Sequence, residues 1–282
     1  GSTTVICTDK TGTLTRNEMT VCALHVAGAR VEVTGAGYVA TGEFKRAGQP
    51  VEITPALALA LRVAVLCNDA KLDRSAAATT VLGDPTEAAL LVAAEKAGLD
   101  RAALERDFPR IAEMPFSSES KRMVTVHRTP DGKTVAYVKG SPGAVLAASV
   151  CVLGDNGVEA LTDSSRQAAQ QNNDELAAQA LRVLGLAYRE LPDPYNDEDL
   201  TRELTFLGLV GMLDPLRDEA RSTIDTCRAA GIRAVMITGD QQGTATEIAR
   251  QLGLDKDAQG QALRVVHARE LSGLDAQGWL KI

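Results

Sequence analysis

Two short apolar runs far apart in the chain, residues 3–7 and 232–237, each break directly into a loop carrying threonine, glycine and aspartate. The first is β-branched and reads as a buried strand ending at Asp9-Lys10-Thr11-Gly12-Thr13. The second ends at Thr238-Gly239-Asp240. From residue 206 onward the pattern alternates: an apolar strand over 206–213, a helix opened by Asp214-Pro215 and closed at Gly231, a strand over 232–237, and a helix over 244–252. Such alternation predicts parallel strands joined by right-handed crossovers. In an open parallel sheet the groups that bind and react gather at the carboxyl ends of the strands, so the two Asp/Thr/Gly loops are expected on one edge.

The residues between have another texture. Short strands with Gly-rich turns run from about 19 to 51. A helix is expected over 55–67, and a second opens with Asp84 as its cap, Pro85 in its first turn and Gly98 past its end. A hairpin is expected from 123–127 and 134–138 around Pro130-Asp131-Gly132, then a polar helix over 164–181 and a strand over 182–188. The fold class expected is therefore α/β: a doubly wound parallel sheet, interrupted after its first strand by an inserted α+β domain. The boundaries are 1–18 and 210–282 for the sheet domain and 19–209 for the insertion.

At 282 residues the chain has ample length for buried cores. Its net charge of −7 argues against general binding to a phosphate backbone, and 3% aromatic residues against a single-strand stacking platform, so no nucleic-acid partner is expected. The five cysteines are scattered and form no CxxC pair, which reads as a reduced compartment without a zinc site. No signal peptide is evident, and no apolar run reaches the ~18 residues of a membrane span.

Asp9 is the residue on which chemistry is expected to turn. A carboxylate is ionised at neutral pH without a helper base and can attack a phosphoryl group directly. Gly12 allows close backbone approach, Lys10 adds positive charge, and Thr13, Thr238 and the Gly239 amide are candidate partners for phosphate oxygens. Mg²⁺ is expected between Asp9 and the phosphate, with the Thr11 carbonyl as a further ligand. Taken alone, D-x-T-G-T is also compatible with a capped turn, and T-G-D with an ordinary strand-to-helix loop. Neither GxxxxGK[ST] nor GxGxxG occurs.

The string Asp9-Lys10-Thr11-Gly12-Thr13-Leu14-Thr15 resembles the phosphorylation motif of P-type cation-transporting ATPases. Further blocks of that family follow in order: Gly83-Asp84-Pro85-Thr86-Glu87, Phe116-Ser117-Ser118-Glu119-Ser120-Lys121-Arg122-Met123, Lys139-Gly140-Ser141-Pro142, Met212-Leu213-Asp214-Pro215-Leu216-Arg217 and Met236-Ile237-Thr238-Gly239-Asp240. Gly37-Tyr38 and Gly42-Glu43-Phe44 look like the calcium-pump-like branch. The resemblance implies that the inserted domain binds ATP. Phe116 would stack on adenine, Lys139 would line the base pocket with Lys121 at its rim, Asp84 would contact the base edge, Leu184 would pack on the nucleotide, and Arg182 would reach the phosphates. Asp9, Lys10, Thr11, Thr238, Gly239 and Asp240 would form the catalytic set, with Asp9 and Thr11 holding Mg²⁺. Asp214 and Arg217 would lie at the hinge.

The same resemblance implies a fold like that of haloacid-dehalogenase-type phosphatases, where the residue two beyond the nucleophile is usually an acid/base aspartate. Here it is Thr11, which favours a persistent aspartyl phosphate over rapid hydrolysis. It further implies a protein at the cytoplasmic face of a membrane, working with its own membrane helices and actuator domain. The family's later lysine and G-D-G-x-N-D motif do not occur in 253–282. The expectation is a region that binds ATP but phosphorylates Asp9 poorly. Two alternatives remain at this point: a soluble phosphatase with a cap domain, and a non-catalytic nucleotide-binding module.

Overall fold

A computed structural model describes residues 3–75, 79–239, 242–256, 260–263 and 265–271. Along the chain its strands are β1 (Val5–Asp9), β2 (Thr20–Val26), β3 (Ala29–Val33), β4 (Phe44–Arg46), β5 (Gln49–Pro50), β6 (Lys71–Asp73), β7 (Thr80–Leu82), β8 (Arg110–Met114), β9 (Arg122–Arg128), β10 (Thr134–Gly140), β11 (Ser149–Gly154), β12 (Gly157–Ala160), β13 (Arg182–Glu190), β14 (Leu204–Leu213) and β15 (Arg233–Ile237). The helices are α1 (Pro55–Leu66), α2 (Pro85–Lys96), α3 (Arg101–Asp107), α4 (Pro142–Ala147), α5 (Asp163–Ala178), α6 (Ala220–Ala229), α7 (Gln242–Gln251) and α8 (Ala268–Leu271). Contacts divide the chain into two compact units. One comprises Gly1–Asn17, Ala178–Ala180 and Asp214–Ile282, and the other Glu18–Ala177 and Leu181–Leu213.

In the unit made from the chain ends, β1 and β15 pair in parallel, with Asp9 in register with Ile237. Among the described residues this is a two-stranded sheet. Leu14 packs with Ala220 and Ile224 of α6, Ile248 of α7, and Leu252 in a small apolar core.

The second unit is built on a single large sheet, ordered β5-β4-β3-β2-β14-β13-β10-β9-β8, with β11 pairing β14 and β12. Helices cover both of its faces. On one face Leu61 and Leu66 of α1 and Leu90 of α2 meet Leu24, Tyr137, Leu186 and Met212 of the sheet. On the other, Val145 and Leu146 of α4 and Leu176 of α5 meet Val124, Val138, Ala187 and Leu209. Each buried leucine, valine or methionine among them contributes roughly 1.5–3 kcal/mol through removal from water. The helix starts follow their sequence signals. Thr54 caps α1, accepting from Leu57 N–H at 3.3 Å, and Asp84 caps α2, accepting from Thr86 N–H at 2.7 Å.

Three features differ from the sequence reading. The opening strand is not buried: Val5 is 44% and Ile6 38% exposed, and Cys7 is exposed as well. The run 206–213 is not a strand of the parallel sheet. It is most of β14, antiparallel to both β2 and β13 near the centre of the large sheet, so the return crossing between units falls after Leu213 rather than at 209/210. An apolar run buried on both faces has the same composition in either kind of sheet, and periodicity does not separate them. The helix expected from Asp214 begins at Ala220 instead. The residues before it bond to the Asp9 loop, Leu216 bridging to Thr15, and the Thr15 hydroxyl occupies the Asp214 carboxylate that was to cap the helix.

Candidate functional site

Two clusters of the expected residues form, one in each unit. The first is the turn after β1. Asp9 ends the strand with its side chain exposed, and Lys10, by contrast, is buried. The chain reverses through Gly12, whose φ of 75° belongs to the left-handed region that glycine enters without a steric penalty. Thr15 is fully buried at the base of the turn. Its backbone N–H donates to the Lys10 carbonyl at 3.0 Å, and its Oγ accepts the Gly12 N–H at 3.2 Å. Its single hydroxyl proton goes to Asp214 Oδ2 at 2.6 Å, a charge-assisted bond and shorter than the 3.2 Å to the Lys10 carbonyl.

Residues 214–218 hold this turn. Arg217 donates from its backbone N–H to the Leu14 carbonyl at 2.9 Å and from its guanidinium to the Gly12 carbonyl at 3.0 Å. Arg16 N–H donates to the Pro215 carbonyl at 3.0 Å, and the Arg16 side chain pairs with Asp218 at 2.7 Å. Because Asp9 is in register with Ile237, Thr238 and Gly239 leave the sheet at the same edge as Asp9. Asp240, the last member of the expected set, lies outside the described residues. The N–H of Gly12 itself is taken up by Thr15.

Mg²⁺ suits the donors here. The Asp9 carboxylate and the Thr11 carbonyl are hard oxygens, and Mg²⁺ is commonly held by one or two carboxylates plus phosphate and water rather than by an all-protein cage. No group of three or more His, Cys, Asp or Glu gathers around a common point among the described residues.

The second cluster lies at one end of the large sheet. In antiparallel pairs, residues directly opposite share a face. Lys139 on β10 lies opposite Met123 on β9 and Leu186 on β13. Alternation along β13 puts Leu184 and Arg182 on that same face, towards the strand's start, with Leu184 half-buried and Arg182 exposed. The β8–β9 loop brings Phe116, 63% exposed, and Lys121 to this end. The loop is closed by the Ser120 N–H on Ser117 Oγ at 3.1 Å and the Lys121 N–H on the Ser117 carbonyl at 2.8 Å. It is docked on β10 by the Ser141 N–H, which donates to the Lys121 carbonyl at 2.8 Å. Gly140 makes this approach possible, since a Cβ there would stand 2.4 Å from the Lys121 carbonyl oxygen and 2.7 Å from Arg122 Cα.

Lys139 differs from its expected place. It is 7% exposed, and its ammonium donates to Glu87 Oε1 at 2.5 Å, to the Cys67 carbonyl and to Met123 Sδ at 3.3 Å. An ammonium has three N–H groups, and these three acceptors match them in number. Glu87 in turn accepts the Asp69 and Ala70 N–H groups, each at 3.0 Å, on its other oxygen. Lys139 thus ties β10 to the first turn of α2 and to the chain leaving α1. Asp84, exposed three residues before Glu87, spends one carboxylate oxygen on its own helix. Burial pushes the Cys67 thiol up, partly offset by the Lys139 ammonium. The sequence reading gave no separate role to Glu87 or to Thr15. The signal in both cases is a polar residue at a position the core encloses, which local pattern does not reveal.

The family model described as P-type ATPase, cytoplasmic domain N, matches residues 56–219. A cation-transporting ATPase, pma1, of Synechocystis is 41% identical over 271 residues, covering 92% of this chain and 29% of that protein. The human calcium-transporting ATPase type 2C member 1 is 39% identical over 284 residues, 98% of this chain and 29% of that protein. The calcium-transporting ATPase of Bacillus subtilis is 35% identical over 280 residues, 96% of this chain and 32% of that protein. The chain therefore spans about three tenths of the length of these relatives. No described helix is long and apolar enough to cross a membrane.

Proposed function

This chain belongs to the P-type ATPase family, and on that premise we propose that it is the ATP-binding and phosphate-accepting region of a cation pump acting at the cytoplasmic face of a membrane. Calcium is the cation we favour, from the names of the relatives. The observation that carries the reading is the exposed Asp9 carboxylate at the end of a parallel strand pair, with Thr238 and Gly239 leaving the same edge.

ATP is bound in the second unit. The exposed Phe116 ring stacks on the base, and Leu184 packs against it from β13. Lys121 and Arg182 supply positive charge for the phosphates at the rim. Asp84 offers its remaining carboxylate oxygen to the base edge. Lys139 acts from beneath, by fixing Glu87 and the chain after α1, rather than by touching the nucleotide. In the first unit Asp9 attacks the γ-phosphoryl group: the bond to Asp9 forms as the bond to the ADP oxygen breaks, leaving an aspartyl phosphate and ADP. Thr13, Thr238 and the Gly239 amide orient the phosphoryl oxygens, with Asp240 completing the set. Bound Mg²⁺, held by Asp9 and the Thr11 carbonyl, would neutralise charge on the transferring group. Thr11 does not deprotonate water at neutral pH, which prolongs the phosphorylated state. Ion transport and coupling to membrane helices and an actuator domain belong to this reading through the family. The parallel pair is likewise read as part of a doubly wound, haloacid-dehalogenase-like sheet.

Incubation with Mg²⁺ and ATP labelled in its γ-phosphate tests the reading. Expected is a sub-stoichiometric, acid-stable, hydroxylamine-labile label that Asp9→Asn abolishes, alongside saturable ATP binding weakened by Phe116→Ala. A label that survives Asp9→Asn, or ATP binding indifferent to Phe116, defeats it.

A further inference from the structure

We infer that Thr15, held by Asp214, and Arg217 are positioning residues that aim the Thr11 carbonyl. The inference rests on the phosphate-accepting reading of Asp9. A peptide unit is planar and trans, so its C=O and N–H point in opposite directions. The Thr11 carbonyl and the Gly12 N–H belong to one such unit. Thr15 Oγ accepts that N–H at 3.2 Å from inside the unit, and the carbonyl is thereby directed away from the buried threonine. Arg217 fixes the next peptide by donating to the Gly12 carbonyl at 3.0 Å. Both planes flanking the one glycine of the turn are thus held.

Glycine at φ 75° has wide conformational freedom, and without these bonds the two planes could rotate. Asp214 sets the direction of the hydroxyl. By taking the Thr15 proton at 2.6 Å, it leaves the threonine lone pairs facing Gly12. Thr15 and Arg217 touch neither phosphate nor metal in this account. They act through the peptide between Thr11 and Gly12, as groups behind a metal ligand fix its orientation.

Thr15→Val keeps the shape and removes the hydroxyl, Thr15→Ser restores it, and Arg217→Gln removes the second tie without entering the core. Two readouts are taken on the whole chain. Hydrogen exchange at the Gly12 amide is expected to quicken about 10-fold or more in Thr15→Val and to return to the wild-type rate in Thr15→Ser. The Mg²⁺ concentration for half-maximal Asp9 labelling is expected to rise about 10- to 100-fold in Thr15→Val and in Arg217→Gln, with ATP affinity unchanged. Unchanged exchange in Thr15→Val, or an unchanged Mg²⁺ requirement in both variants while the wild type labels, overturns the inference alone. A wild-type chain that binds ATP but takes no label at Asp9 overturns the phosphate-accepting reading, and this inference with it.

Discussion

An ammonium whose surroundings supply three acceptors inside a protein is stable only while those acceptors remain. The side chains of Lys139 and Glu87 are 9% and 15% exposed, so removing either leaves the other short of a partner in a poorly hydrated place. Glu87→Gln is expected to destabilise the second unit by about 3 kcal/mol, read from the urea midpoint. Lys139→Met combined with Glu87→Gln should recover much of the loss, because no charge is then left unpaired. A double mutant no better than the single one would show that the carboxylate matters only for the Asp69 and Ala70 amides. Gly140 makes a second, steric test. A methyl group there meets backbone of Lys121 and Arg122 rather than a flexible side-chain end. Gly140→Ala is expected to cost about 1–3 kcal/mol and to weaken ATP binding by displacing the Phe116–Lys121 turn, measured by thermal unfolding and by titration with nucleotide.

Helix α2 shows how far local signals reach. Asp84, Pro85 and Gly98 marked its start and end in the sequence, and the helix runs from Pro85 to Lys96 with Asp84 bonded to Thr86 N–H as a cap. The cap bond of Asp84 and the nucleotide role proposed for it can be separated by substitution. Asp84→Ala should cost about 1 kcal/mol of stability, whereas Asp84→Asn keeps the cap at nearly full strength. If Asn at this position leaves stability unchanged but lowers ATP affinity, the carboxylate serves the base; if neither moves, Asp84 is a cap only. Strand β14 shows where local signals stop. Its apolar run announced a strand correctly, yet one of its two antiparallel neighbours, β2, comes from the far end of the insertion, and no local pattern names that partner. The hairpin β9–β10 was legible because its turn residues adjoin its strands. The tie between Thr15 and Asp214 was not, since it joins residues 199 positions apart in the chain. Of the candidate site, Asp9 and its turn could be read from short motifs, while the burial of Lys139 against Glu87 depends on a sheet and two helices meeting.

The second unit carries its cores on both faces of one sheet, and a histidine enclosed there ties its stability to pH. His127 on β9 is 1% exposed. One ring nitrogen lies 2.8 Å from the Phe108 carbonyl and the other 2.9 Å from Thr125 Oγ, a pair of partners that suits a neutral ring donating from Nδ1. Burial, more than the nearby Arg110, lowers its pKa from 6.5 to about 4. The unfolded chain therefore binds a proton that the folded chain refuses between those two values. Stability rises with pH wherever the unfolded state holds more protons, so the neutral ring's contribution is complete above about pH 6.5 and is lost as pH falls towards about 4. The loss amounts to at most about 3 kcal/mol. Carboxylates titrate at the lower end of the same window, so the comparison that isolates the ring is His127→Gln. That variant should be less stable than the wild type at neutral pH, because it fits the Phe108 and Thr125 partners less well, yet lose less on acidification. Urea midpoints followed from neutral to mildly acid pH would converge for the two proteins, and parallel curves would mean that the ring takes up its proton without leaving the core.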